Sequence, residues 1–561
     1  MRELYELTWP GKHDAVIEAG RPTDKTLRPS VELSKDFDTT QNLYIEGDNL
    51  EALKLLQKSY MKRVKLIYID PPYNTGHDFI YHDDFSYSDS ESQQEFLFTD
   101  ESGARNFTLS NYIENSKSNP RFHSDWLNMM YPRLKLARNL LSDDGVIFIS
   151  IDDNEQANLR KICDEIFGEN NFIAQLIWKS KSGGASDSRF FAVDHEYILC
   201  YASNVNSFTL NQDTEADVTT SYNRRDDKGE YALERLDKQS LGYLPSLDFE
   251  IIGTDGKSYF PHQKDPAHPN ARWRWSRDTV AQRYNELVFE NGNVYTKNYK
   301  KEGVIPRSLM IEERFGRTRT GKTDFYALFN SDCFSSPKPY KLIRHLIKLA
   351  ANDDSIILDF FAGSSTTAHA VMALNAQDGG SRKFIMIQIP EQCSDSSEAF
   401  KAGYKTICEI GRGRILRAGE NFSGDTGFRV LKVDSGNYRD VYFTPENLTQ
   451  DMLEDLIENI KPERSGLDLL FSTIIELGLS LSLKYSCERV NDFLIHYYGD
   501  DDKNIIACFD ENINASLVEY IARKKPSCAL FRDSCFENSN ILINLEQIYR
   551  HNAPDSEQKR L

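Results

Sequence analysis

Leu66-Ile67-Tyr68-Ile69-Asp70-Pro71-Pro72-Tyr73 is the stretch on which the fold turns. Four apolar residues run without a break into an aspartate and two prolines. A short continuous apolar run closed by a turn signal reads as a strand buried on both faces. Its neighbours extend the pattern on both sides. Residues 43–46 read as a strand, 49–58 as a helix, and 65–69 as the strand that ends at Asp70. Helical periodicity covers 125–141 and leads into a strand at 146–151, then a helix at 155–167 and a strand at 196–202. After a long irregular middle the alternation resumes: helix 338–351, strand 355–359, helix 366–374, strand 384–389. Apolar runs alternating with amphipathic helices predict an α/β fold, a parallel sheet with helices on both faces.

The 561 residues suggest about three or four domains. Hydrophobic residues make up 40% and charged residues 27%, a globular balance. No run reaches the roughly 18–20 apolar residues of a membrane helix, and no signal peptide is visible, so a cytoplasmic protein is expected. Nine scattered cysteines with no Cys-x-x-Cys pair predict reduced thiols and no structural zinc. The net charge of −19 argues against nucleic acid until its distribution is considered. Between residues 271 and 330 there are 12 Lys and Arg against 7 Asp and Glu, whereas residues 431–561 carry about −9. The basic window holds Arg272, Arg274 and Arg277 interleaved with Trp273 and Trp275, then Arg317, Arg319 and Lys322. That pattern suits phosphate contact with aromatic stacking, or an ordinary surface over two core tryptophans.

Two clusters carry candidate chemistry. Asp70-Pro71-Pro72-Tyr73 follows a strand, and ligands of open α/β sheets bind beyond the carboxyl ends of strands. The prolines remove two donors, their carbonyls are left to accept, and Asp70 is acceptor-only when ionised. Such a group suits a partner with N–H donors, an exocyclic amino group, with Tyr73 as a face on which a base can stack. The second cluster, residues 356–367, runs from a strand through Asp359, Phe361, Gly363, Ser364, Ser365 and Thr366 into a helix whose first amides can hold an anion. Glu391, after the next strand, can bind ribose hydroxyls. Asp48 either contributes to a cofactor site or caps the helix starting at Asn49.

Other features read blandly. Residues 316–323 satisfy the G-x-x-x-x-G-K-T pattern, but a charged flank before and a short segment after predict a basic loop near DNA phosphates, not an ATP site. His195-Glu196 reads as a structural pair without a metal, and His369 as a packing residue. No carboxylate-lysine nuclease cluster is present.

Taken in order, Asp-Pro-Pro-Tyr, a long insertion and then the Phe-x-Gly loop resemble the β group of DNA amino-methyltransferases. Residues 70–76, 126–134, 145–155, 167–170, 337–339, 531–536 and 544–548 resemble modification subunits of type III restriction-modification systems. One departure is Ser365, where the group usually has a second glycine. The resemblance implies a Rossmann-like methyltransferase sheet with S-adenosylmethionine as methyl donor. It also implies adenine N6 in double-stranded DNA as acceptor, and base flipping. Asp70, Pro71, Pro72 and Tyr73 are then the catalytic candidates. Asp48, Lys338, Asp359, Phe361, Gly363, Ser364, Ser365, Thr366 and Glu391 are the cofactor candidates, with Lys338 near the methionine carboxylate. No metal is expected. Cytosine N4 is the nearer alternative acceptor, and a DNA-binding specificity subunit with little catalysis the more distant one; Asp rather than Ser before Pro-Pro-Tyr favours adenine. The expected domains are an N-terminal segment (1–39), a catalytic domain in two parts (40–203 and 334–420), a target-recognition insertion (204–333) and a C-terminal α+β assembly domain (421–561). An acidic helix at 449–460 and an apolar run at 467–481 are expected to be free for contacts. A homodimer that recruits an ATP-dependent helicase-nuclease restriction subunit is the expected assembly.

Overall fold

The computed structural model describes residues 6–76, 79–81, 112–183, 188–216, 221–265, 267–439, 459–500 and 504–561. The chain divides into two compact units, Asn211–Pro306 and the remainder, Met1–Leu210 with Arg307–Leu561.

The larger unit is built on a ten-stranded sheet. Its strands are β1 (Lys25–Lys35), β2 (Leu43–Glu46), β3 (Val64–Ile69), β4 (Leu141–Ile151), β5 (Phe172–Lys179), β6 (His195–Ala202), β7 (Leu309–Met310), β8 (Ile356–Asp359), β9 (Lys383–Gln388) and β10 (Phe428–Ser435). They lie in the order β1-β10-β2-β9-β8-β3-β4-β6-β5-β7. The six strands from β10 to β4 are mutually parallel. Both faces are covered, and from Leu66 to Ile69 the residues of β3 alternate between them. Ile67 and Ile69 join one core with Leu43, Ile45 and Ile147, whereas Leu66 and Tyr68 join the other with Tyr44 and Phe148. Helices α1 (Asn49–Tyr60) and α2 (Phe122–Leu140) fill the first core; α4 (Tyr340–Ala350) and α5 (Thr366–Asp378) fill the second, with α3 (Thr318–Phe329) and α6 (Ile407–Gly419) nearby. From β3 the chain crosses to β4, and from β8 it crosses the opposite way to β9. The adjacent ends of β3 and β8 are therefore the switch point where α/β sheets bind ligands.

Several expectations need correction. The sheet is mixed, because β6 runs antiparallel to both β4 and β5. Its connection from β5 contains no helix among the described residues, and a return without a crossover must be antiparallel. Strands β1 and β10 belong to the same sheet, so the expected boundaries at 39/40 and 420/421 do not separate Lys25–Lys35 and Phe428–Ser435 from it. The second unit spans 211–306 and not 204–333, since β7 pairs with β5 and α3 packs beside α6. The stretch 316–323 is not a loop: Thr318 begins α3. The apolar run 467–481 is not free either. It contains α7 (Gly466–Glu476), whose Leu470, Phe471 and Ile474 are buried in the main core. Of the acidic helix at 449–460, residues 449–458 lie outside the described residues.

The remaining C-terminal residues form a five-stranded sheet, β11 (Tyr485–Val490), β12 (Phe493–Tyr498), β13 (Ile505–Cys508), β14 (Cys528–Phe531) and β15 (Glu557–Arg560), paired in that order. The polar tail after Asn552 thus ends in an edge strand. Tyr498 and Ile505 share the main core. Arg429 of β10 ties this region down. Fully buried, its guanidinium donates to the carbonyls of Phe37 (2.7 Å), Leu481 (2.6 Å) and Leu483 (3.1 Å). Arg429→Met should leave the carbonyls of Phe37, Leu481 and Leu483 without this donor and lower unfolding stability by about 3–5 kcal/mol, at roughly 1–3 kcal/mol for each unsatisfied group. A urea midpoint within error of the wild type would show that the cation does not hold the region.

The smaller unit carries an antiparallel sheet of Leu287–Glu290, Asn293–Tyr299, Gly229–Arg235 and Arg224–Asp226 over a small core of Leu236, Phe249, Ile251 and Trp273.

Candidate active site

The loop after β3 is built to hold its backbone still. Asn74, at a positive φ of 59° that asparagine tolerates, is fully buried. Its amide donates to Glu155 Oε1 (2.6 Å) and to the Phe122 carbonyl (3.2 Å), and Asn115 donates to it (2.9 Å). Trp126 Nε1 donates to the Pro72 carbonyl at 2.8 Å. That proline carbonyl is therefore taken, contrary to the expectation that both remain available.

Beyond the anchor stands a four-group cluster. Lys338 Nζ lies 3.1 Å from Asp70 Oδ1 and 3.1 Å from Glu196 Oε2, and donates to the Tyr73 hydroxyl at 2.7 Å. Tyr73 in turn donates to Glu196 Oε2 at 3.0 Å. Burial pushes the Asp70 carboxyl above its usual range; Lys338 opposes this and the Glu196 charge adds to it. For Glu196 burial also acts upward, but Lys338 prevails and holds it below the usual range. Lys338 stays charged, because the two acids outweigh the cost of its burial. Lys338 was expected beside a methionine carboxylate, and the structure places it on Asp70. Glu196 was read as half of a structural pair. The signal available was its position at the start of a buried strand.

The second loop follows β8. Asp359 accepts from the Phe361 amide (3.0 Å) and Thr367 Oγ1 (2.6 Å), and burial raises its carboxyl to about 7. It braces the loop from within. Gly363 takes φ 51° and donates its N–H to Gln388 Oε1 at 2.7 Å. Ser365, the departure from the group's usual second glycine, also takes a left-handed conformation (φ 61°, ψ 39°). Close approach is allowed from the other side: a Cβ on Gly411 would lie 2.6 Å from the Tyr44 hydroxyl and 2.7 Å from Ser365 Oγ. Ser364 and Thr366 turn inward, where Arg414 donates to their hydroxyls at 2.9 and 2.5 Å. These serines and Thr366 are buried. Asp48 caps α1, accepting from the Leu50 amide at 2.7 Å and the Glu51 amide at 3.2 Å. His369 is buried and stacked on Tyr340, as a packing residue would be.

One open cleft of about 530 Å³ brings the two loops together. Asp70, Pro71, Pro72, Tyr73, Glu196 and Lys338 line one part of it, and Phe361, Gly363, Gln388 and Glu391 another. Sequence separates these groups by about 300 residues; the switch point places them side by side.

The basic window is less uniform than its composition. Its two halves fall in different units. Trp273 is a core residue donating to the Phe249 carbonyl, Arg274 pairs with Glu234, and Arg277 lies over the Phe249 ring. Arg272 is half-buried. Arg317 is folded back onto the carbonyls of Ile311, Glu312 and Gly316, whereas Arg319 and Lys322 are exposed on α3. Among the described residues no group of His, Cys, Asp and Glu could hold a metal, and no helix is long and apolar enough to cross a membrane.

A doubly wound sheet that brings an acceptor-rich strand end and a glycine loop into one cleft at its switch point is the arrangement of a ligand-binding α/β protein. Residues 64–399 match the family model described as DNA methylase. The chain is 36% identical to the type III restriction-modification enzyme StyLTI Mod subunit of Salmonella typhimurium, over 81% of this chain and 68% of that protein. It is 34% identical to the EcoPI Mod subunit of Escherichia phage P1, over 74% and 68%. It is 33% identical to the type II methyltransferase M.KpnI of Klebsiella pneumoniae, over 72% and 92%. The chain belongs to the DNA methylase family and is a DNA methyltransferase of the type III modification-subunit kind.

Proposed function

We propose that the chain transfers a methyl group from S-adenosylmethionine to adenine N6 in a specific DNA sequence, as the modification and specificity subunit of a type III system. The observation that carries this reading is the single cleft lined by both Asp70–Tyr73 and the Phe361–Gly363 loop. The residues present fit the donor. Glu391 offers a carboxylate for ribose hydroxyls, Phe361 an apolar face, and a Cβ at Gly363 would meet only the Phe334 ring edge (3.4 Å) and the Phe361 carbonyl (3.9 Å). When bound, S-adenosylmethionine supplies an electrophilic methyl group.

This chain's own residues then act on the acceptor. The adenine amino nitrogen is a poor nucleophile because its lone pair is delocalised into the ring. Asp70 and the Pro71 carbonyl accept its two N–H groups, which favours a more tetrahedral nitrogen. Asp70 is also placed to take the proton that the nitrogen must shed. Positioning and electrostatics of this kind supply the catalysis. A base inside a duplex cannot reach the cleft, so it must be flipped out, with Tyr73 as its stacking face.

The unit at 211–306 serves target recognition, and Arg272, Arg274 and Arg277 are its candidate DNA contacts. The resemblance to type III subunits supports a homodimer, an ATP-dependent restriction partner and a cytoplasmic location. Of the other basic residues, Arg319 and Lys322 are the ones placed to meet phosphates. Replacing both with Gln should flatten the slope of log affinity against log salt by about 0.9 per lost contact. Arg317→Gln should leave that slope alone. Equal slopes for all variants would remove α3 from the DNA-binding surface. The function itself is tested by mapping methylated bases in cells with and without the gene. N6-methyladenine in one sequence context is expected; N4-methylcytosine would correct the acceptor, and no new methylation would overturn the reading.

A further inference from the structure

Lys338 and Glu196 approach the acceptor loop from two separate elements, the segment before α4 and the first residues of β6. Between them they touch both functional side chains of the Asp-Pro-Pro-Tyr motif. One ammonium sits 3.1 Å from each of two carboxylates, and one carboxylate oxygen receives both that ammonium and the Tyr73 hydroxyl. Lys338 also lies 4.7 Å from the centre of the Tyr73 ring. All four groups line the cleft.

We propose that Lys338 and Glu196 are positioning residues of the methyl-transfer site: Lys338 pairs with Asp70 and aims it into the cleft, and Glu196, together with Lys338, fixes the Tyr73 ring through its hydroxyl. This rests on the reading of Asp70 as the acceptor of the target amino group. The two residues act on Asp70 with opposite sign. A nearby cation favours the carboxylate, and a nearby carboxylate disfavours it. The other charged and titratable groups facing Asp70 are Tyr73 on its own loop, Tyr68 on β3 and Asp359 at the end of β8. None of them changes in the variants below, so the sign of each shift belongs to the residue replaced. Glu196→Gln keeps an oxygen for the Tyr73 hydroxyl while removing the charge. Lys338→Met removes the cation at similar length.

Single-turnover methyl transfer is measured against pH, at saturating S-adenosylmethionine, for the wild type and each variant. The acid limb is expected to move to lower pH in Glu196→Gln and to higher pH in Lys338→Met, with Lys338→Arg restoring it toward the wild type. DNA carrying 2-aminopurine at the target position gives a second readout that needs no turnover. Glu196→Ala, which leaves the Tyr73 hydroxyl with Lys338 as its partner and no acceptor, should change the fluorescence response on binding at least severalfold, whereas Glu196→Gln should retain it. Acid limbs that shift in the same direction, or not at all, would overturn the proposal. So would an unchanged fluorescence response in Glu196→Ala. A wild type that methylates no DNA would instead remove the functional reading beneath it, and the two failures are therefore distinct.

Discussion

Asp70→Ala is expected to lower the single-turnover rate of methyl transfer by about 10²–10³-fold, the usual effect of deleting one preorganised group that meets developing charge. The fold should survive. The loop is held by Asn74 in its buried network and by Trp126 on the Pro72 carbonyl, neither of which involves the Asp70 side chain. Affinity for S-adenosylmethionine should change little, because the Phe361–Gly363 loop is braced independently by Asp359 and Gln388. The loss should therefore fall on the chemical step. It should also exceed that of a simple hydrogen-bond deletion, since Lys338 would lose one of its two carboxylates, keep Glu196 and the Tyr73 hydroxyl, and turn an ammonium toward the incoming amino group. Rapid-quench measurement of transfer, with calorimetric titration of the methyl donor, separates the two quantities. Near-normal turnover in this variant would show that the acceptor site lies elsewhere in the cleft.

The two ends of this cleft were legible in the sequence because each is a local signal. A buried apolar strand running into Asp70-Pro71-Pro72, and another running into Phe361-Ala362-Gly363, fix strand ends within a residue or two. The residues between them were not legible, since nothing local marks a side chain that reaches the site from another strand. Glu196 opens β6 and shows only the pattern of a buried strand; its role exists because β6 lies beside β4, two strands from Asp70. Lys338 precedes a helix, a place that suits an anion site as well as an ion pair. Direction failed for a related reason. Strand periodicity is the same whether a strand runs parallel or antiparallel, so the reversal at β6 could be read only from its pairing. Likewise β1 and β10 are far apart in sequence and close the sheet edge together, a non-local pairing that composition does not announce. The basic window misled most. Counting charges placed Arg317 on the surface, yet its guanidinium is spent on three carbonyls of its own segment.

Gly363→Asp should weaken S-adenosylmethionine binding by at least about 10²-fold, through two effects that can be separated. The first is conformational. Gly363 sits at φ 51°, a left-handed position that costs an ordinary residue about 1–2 kcal/mol. Asp and Asn visit that region more readily than most residues, so the loop should still form. The second is electrostatic. A Cβ here would find only the Phe334 ring edge at 3.4 Å and the Phe361 carbonyl at 3.9 Å, so the added carboxylate has room to project into the cleft. Glu391 already lines that part of the cleft, and the methyl donor brings a carboxylate of its own. Like charges about 4 Å apart repel by about 4 kcal/mol at the effective dielectric of a partly exposed site. Gly363→Asn has nearly the same shape and backbone preference without the charge, so it should lose only the smaller, conformational part. Calorimetry on both variants gives the two contributions, and raising the salt should recover part of the loss for Asp but not for Asn. Equal affinities for wild type and Gly363→Asp would place the methyl donor away from this loop, and the cleft would then be an acceptor site alone.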